Sequence, residues 1–213
     1  MDLSFLSKYY MFYIMGIKNT VLIAFLSVLF GVILGIFLAL MKISNKKILK
    51  GISTAYIEFI RGTPVMVQVF IIYYGLPLNL PEIPSGVLAL SINSAAYVAE
   101  IIRAGIQAID KGQTEASRSL GMSQSMTMRY IVIPQAFKNI LPALGNEFIT
   151  VIKESAIVSV IGVPELMYNA DTIRGNTFKP FAPLVVAAIL YFILTFTLSK
   201  GLGIVERRMK ASD

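Results

Sequence analysis

Three groups of residues in this chain combine side chains able to bind or steer a polar solute. The first is Ile60-Arg61-Gly62-Thr63-Pro64, where a cation adjoins a proline within an apolar stretch. Proline removes a backbone donor and clashes with the preceding turn, so a helix must kink or break there. A break frees N–H groups at the start of the next half-helix, and these suit a carboxylate. Thr63 stands where it can cap a half-helix beginning at Pro64. Arg61 adds a fixed positive charge, with Gln68 two turns away on the same face. Arg61 has two other outlets, a pair with Glu58 at i−3 and snorkelling toward the headgroups. The second group is Asn93, Ser94, Tyr97 and Glu100. The i, i+4, i+7 spacing puts Asn93, Tyr97 and Glu100 on one helical face. They can line the cavity of Arg61, or they can hold helices together by hydrogen bonds, with Glu100 pairing Arg103 at i+3. The third group is Glu147, Thr150 and Glu154, also on one face. Carboxylates inside a span are costly and mark substrate or ion paths, so Glu154 is expected to meet the solute. A buried pair with Arg61 or another helix is the alternative for both acids.

The elements that position these groups follow from composition. The chain has 213 residues, 56% hydrophobic and only 15% charged. With a mean hydropathy of +0.72, it is a polytopic all-α membrane protein, one transmembrane domain over 1–213. It contains no cysteine and no histidine, which removes disulfides, thiolate metal sites and the commonest general base. The formal charge of +7 reads as a cytoplasmic excess of Lys and Arg rather than a nucleic-acid surface. Asp2 precedes an apolar run too long for a signal core, so no cleavable signal is expected. No G-x-x-x-x-G-K-[ST] occurs, so the chain has no phosphate cradle of its own.

Five spans are expected. Met1–Lys18 lies at the interface or leads into a first span at 19–41, which carries a Gly31/Gly35 spacing suited to close helix packing. A second span at 53–76 is interrupted at Gly62–Pro64. The third runs over 85–109. The fourth, 139–160, is amphipathic and points its acids inward. A loop at 162–180 precedes the fifth span, 181–202. Thirteen Lys and Arg residues fall on one side, among them Lys42, Lys46, Lys47, Lys50, Arg103 and Lys138; only Lys8, Lys18, Arg174 and Lys179 fall on the other. That asymmetry puts the 113–134 loop and the C-terminus in the cytoplasm and the N-terminus outside.

The 113–134 loop is the longest polar interruption between apolar segments. Thr114 is placed to cap a short helix that Glu115 opens, Gly121 to turn the chain in a left-handed conformation, and Ser123 to cap a second short helix. Glu115-Ala116-Ser117, Gly121, Ile131 and Ile133-Pro134 together resemble the signature loop of the membrane subunits of binding-protein-dependent ABC importers. Ser117 and Ile133 stand where that pattern has alanine and leucine. Ile60–Pro64, Ser94–Glu100 and Val158–Leu166 resemble the polar amino-acid branch, the histidine/glutamine/arginine permeases. The resemblance implies a type I ABC importer permease fold in a bacterial cell (inner) membrane. It implies two permease subunits, identical or different, two ATPase subunits that use ATP and Mg, and an extracytoplasmic solute-binding protein. It gives Glu115, Ala116 and Gly121 the docking role toward the ATPase, and implies no enzymatic activity in this chain itself. The solute is expected to be a polar amino acid with a cationic side chain such as arginine, lysine or histidine, which Glu154 and Glu100 would complement. An ion-coupled secondary transporter using Glu100, Glu147 and Glu154, or a membrane scaffold for a soluble enzyme, are the rival functions.

A topology test follows from the charge count. Cysteine introduced at Ser123 should react with an impermeant reagent only from the cytoplasmic side. Labelling in intact cells would overturn the orientation.

Overall fold

The computed structural model describes residues 3–77 and 79–210, all of its regular structure helical. Helix α1 spans Leu6–Ile43, 38 residues. At 1.5 Å per residue it is about 57 Å long, well beyond a bilayer core of about 30 Å. The segment before Lys18 therefore leads straight into the first span. Helix α2 covers Lys47–Gly62 and α3 covers Val65–Phe70, extended by a π turn through Gly75. The expected interruption is there, and the two halves meet at 106°.

Helix α4, Glu82–Gln107, is the spine of the bundle: α1 packs along its length, and α2, α3 and α7 lean on it. Small residues make the α1–α4 contact close. A Cβ added at Gly35 would lie 2.6 Å from Val98 Cγ1, and one at Gly31 would lie 3.0 Å from Ser94 Cβ. The Gly31/Gly35 spacing is thus a packing seam. After α4 come α5 (Lys111–Ser119) and α6 (Gln124–Thr127). A π turn at Met128–Val132 carries α6 directly into α7, Ile133–Glu154, followed by a 3-10 segment Ser155–Ile161. The loop is therefore one free helix, α5, plus a lead-in to α7, rather than two separate surface helices.

Helix α8, Leu166–Thr177, replaces the expected 162–180 loop. Asn, Asp and Thr disfavour a helix here. Packing overrides them, because Leu166, Ala170 and Ile173 are fully buried against α1 and α9. Asp171 pairs with Arg174 on the same helix at 2.6 Å. Helix α9, Ala182–Lys210, closes the bundle. By length and composition α1, α4 and α9 can each cross a membrane, and the bent pair α2–α3 has the composition of a broken span or a re-entrant loop. Helix α7 has 22 residues but is too polar to qualify alone. Packing against α4 and α9 shields it.

Glu165, 0% exposed, bolts α8 in place. It accepts from its own helix at Tyr168 N (2.7 Å), from the Tyr191 hydroxyl of α9 (2.6 Å) and from Thr20 Oγ1 of α1 (3.4 Å). Thr20 in turn accepts from Leu166 N, and Asn19 donates to Pro164 O. Glu165→Ala removes an N-cap and leaves buried donors unpaired. It should cost roughly 2–4 kcal/mol and lower the thermal midpoint of the detergent-solubilised protein. An unchanged midpoint would show that the three-helix junction does not need the acid.

Candidate functional site: a broken helix against α4

The break is held by side chains on both sides of it. Pro64 itself occupies the N-cap position of α3, with no side-chain cap. Thr63 works backward instead of forward: its hydroxyl donates to Phe59 O at 2.9 Å, satisfying a carbonyl at the end of α2. This corrects the expectation that Thr63 caps the new half-helix, and the cause is that an α-helix ending mid-bundle must first satisfy its last carbonyls. Gln68 donates through Nε2 to Ile60 O (2.8 Å), Thr63 O (3.1 Å) and Thr63 Oγ1 (2.9 Å). Its Oε1 accepts from Asn93 Nδ2 of α4 at 3.0 Å.

Arg61 emerges at the last turn of α2, side chain 44% exposed. Its guanidinium lies 5.3 Å from the centroid of the Tyr97 ring and 4.0 Å from Glu100. No pair with Glu58 is formed among the described residues. A cation over an aromatic face is attracted by the ring quadrupole, and the donors not used remain open to a ligand. Asn93, Tyr97 and Glu100 do share the α4 face that meets α2 and α3, as their spacing requires.

Glu100 is more heavily committed than its sequence position announced. Lys42 Nζ at the end of α1 sits 2.6 Å from Oε1, and Arg103 makes a 2.8 Å pair with Oε2. Arg103 also donates to Gln107. One carboxylate thus gathers three cations from three helices. Lys42, read from sequence as part of a basic loop, is the partner that sequence reasoning missed. No local signal announces it, since the two residues are 58 positions apart and only the folded chain brings them together.

On α7, Glu147 is 9% exposed and accepts from Ser94 Oγ of α4 at 2.8 Å. Ser94 is therefore spent on Glu147 in this conformation. Glu154, half-buried at the end of α7, makes no hydrogen bond or ion pair among the described residues. The alternative of a buried Arg61–Glu154 pair is not formed. No cluster of His, Cys, Asp or Glu suited to a metal ion occurs among the described residues.

The α5–α6 knob has its own geometry. Helix α5 starts at Lys111 and is capped by Asp110, whose carboxylate accepts from Gly112 N at 2.6 Å. That corrects Thr114 as the cap and puts Glu115 within the helix: Asp110 comes first in the chain and offers the stronger acceptor. Glu115 and Ala116 are exposed on α5. Gly121 has φ +83, with Gly121 N donating to Arg118 O and Met122 N to Ser117 O. These paired bonds are a Schellman turn, which requires a left-handed residue. Ser123 caps α6 by accepting from Met126 N at 3.2 Å, as its position predicts.

A helical bundle with a bent, broken helix pair, charges gathered on facing helices and an exposed polar knob has the form of a membrane permease subunit. The chain belongs to the family of binding-protein-dependent transport system inner membrane components, whose model matches residues 31–211. It is 44% identical to the arginine transport system permease protein ArtQ of Bacillus subtilis (strain 168), over 95% of this chain and 94% of that protein. It is 39% identical to the probable glutamine ABC transporter permease protein GlnM of the same organism, over the full length of both. Among solved structures, a crystal structure of an amino acid ABC transporter with histidines matches with a TM-score of 0.95 and 54% identity, covering 98% of this chain and 99% of that one. An inward-facing methionine transporter, MetNI, matches at a TM-score of 0.79 with 19% identity and shows the shared fold. Family membership replaces the ion-coupled and scaffold alternatives.

Gly121→Val places a β-branched residue at positive φ, which it resists. The variant should lose association with the ATPase partner and transport, while direct amino-acid binding is largely retained. Normal ATPase association, measured by co-purification, would contradict a docking role for this turn.

Proposed function

We propose that this chain is the membrane-spanning subunit of an ATP-driven importer of polar amino acids, with a preference for cationic ones such as arginine, lysine or histidine. Two permease subunits, identical or different, form the path. An extracytoplasmic binding protein delivers the solute, and separate ATPase subunits hydrolyse ATP with Mg. The α5–α6 knob faces the cytoplasm and meets the ATPase through Glu115, Ala116 and Gly121. The N-terminus lies outside and the C-terminus inside, in a bacterial inner membrane. Nucleic acid has no part in this function.

The observation that carries the substrate reading is Glu154, a half-buried carboxylate at the end of α7 that makes no ion pair among the described residues, with Lys153 next to it acting only through space. Such a group is costly in an apolar surrounding, and a bound cation offsets that cost. Arg61 takes the α-carboxylate, with Tyr97 beneath its guanidinium. Glu154 faces the cationic side chain or the ammonium group. Thr63, Gln68, Asn93, Ser94 and Glu100 frame the same cavity. The arginine-transport relative and the histidine-containing neighbour accord with a cationic solute, and the glutamine-transport relative with the wider polar class.

Physically, the knob converts motion of the ATPase into motion of the elements at its ends. It is joined to α4 through Asp110 and runs without interruption from α6 into α7. Displacing it therefore shifts α7, with Glu147 and Glu154, against α4, with Ser94 and Glu100. A rigid-body shift of that kind opens and closes a path.

Glu154→Gln should weaken arginine binding to the purified complex by roughly 2–5 kcal/mol, the range for a buried charge pair losing one member. An equal loss for glutamine would assign the acid to the ammonium group instead. Unchanged arginine binding would contradict the cationic preference.

A further inference from the structure

The carboxamide of Gln68 spends both its donors and one acceptor position inside the protein. Both amide hydrogens are taken by three oxygens at the end of α2, and the amide oxygen is taken by Asn93. Gln68 and Asn93 are 6% and 5% exposed. The orientation is fixed by this network: the flipped amide would aim an oxygen at the carbonyls of Ile60 and Thr63 and a donor at the Asn93 donor. The side chain comes from α3, the oxygens from the last turn of α2, and Asn93 from α4. One amide therefore joins three elements at the corner of a 106° bend. Seven residues before Gln68 stands Arg61, on the last turn that this amide ties down.

We infer that Gln68 is a positioning residue: with Asn93 as its anchor on α4, it locks the angle between α2 and α3 and thereby holds Arg61 over the Tyr97 ring. The inference rests on the reading of Arg61 as the carboxylate ligand. It assigns Gln68 and Asn93 to the frame of the site rather than to contact with the solute. Buried hydrogen bonds are costly to leave unmade, so the clamp resists any change in the α2–α3 angle.

The test uses the complete complex with its ATPase partner, reconstituted in lipid. The chain has no native cysteine, so spin labels can be placed at Phe59→Cys and Met66→Cys, both exposed, one on each side of the break. Pulsed EPR reads the width of the distance distribution. Gln68→Leu keeps the approximate volume and removes every bond. It should at least double that width and weaken arginine binding by about tenfold, the scale of a broken buried network. In an Arg61→Ala background the same substitution should cost no further affinity, as a residue acting only through Arg61 requires. Asn93→Ala, which removes only the anchor and spares the helix-end bonds, should give an intermediate width and loss. It serves as the reading if the first variant fails to assemble. An unchanged width in either variant overturns the proposal. A broadened width with affinity losses that add in the Arg61→Ala background also overturns it, because Gln68 then touches the solute itself. If Arg61→Ala alone binds arginine normally, the carboxylate reading falls and the label distances alone decide the clamp.

Discussion

A helix interrupted part-way leaves its last backbone carbonyls without partners in the helix, and the centre of this molecule is arranged around satisfying them. Each such group left bare costs several kcal/mol in hydrocarbon. Thr63 serves the carbonyl of Phe59, and Gln68 serves those of Ile60 and Thr63. Once these bonds are made, the break becomes a fixed corner. Arg61 then leaves the last turn of α2 in a defined direction, above Tyr97 and beside Glu100. A functional cation on a plain helix would be free to swing toward the headgroups. Here the corner denies it that freedom.

The second constraint is charge. Glu100 gathers Lys42, Arg61 and Arg103, so the α4 face carries two positive charges beyond neutrality at the end nearest the knob. Across the bundle, α7 carries Glu147 and Glu154 with no cation bonded to either among the described residues. A solute with an anionic and a cationic end is complementary to that division. Relative motion of α4 and α7 changes the distance between the two halves. Glu165 has no part in this division: its bonds join α1, α8 and α9 on the other side of the bundle.

Much of this was legible in the chain because its causes are local. Pro64 announces the break, Gly121 the left-handed turn and Ser123 the α6 cap, and each is where local stereochemistry requires. The shared face of Asn93, Tyr97 and Glu100 followed from helical spacing alone. What escaped the sequence depends on contacts far along the chain. Lys42 reaches Glu100 across 58 positions, and Glu165 meets Thr20 across 145. Helix α8 escaped because burial of Leu166 and Ile173 overrules its composition, and no local pattern records that. Thr63 serves the half-helix behind it rather than the one ahead, because the carbonyls at the end of α2 lack partners within the helix.

The central claim is that the fixed corner presents Arg61 to the carboxylate of an amino acid whose positive end meets Glu154. Structure determination of the reconstituted complex with bound arginine tests it most directly. The account predicts the α-carboxylate within about 3 Å of the Arg61 guanidinium, the length of a charge-assisted hydrogen bond, and a nitrogen of the ligand equally close to Glu154. Arginine bound elsewhere in the bundle, with Arg61 still turned wholly to Glu100, would contradict it.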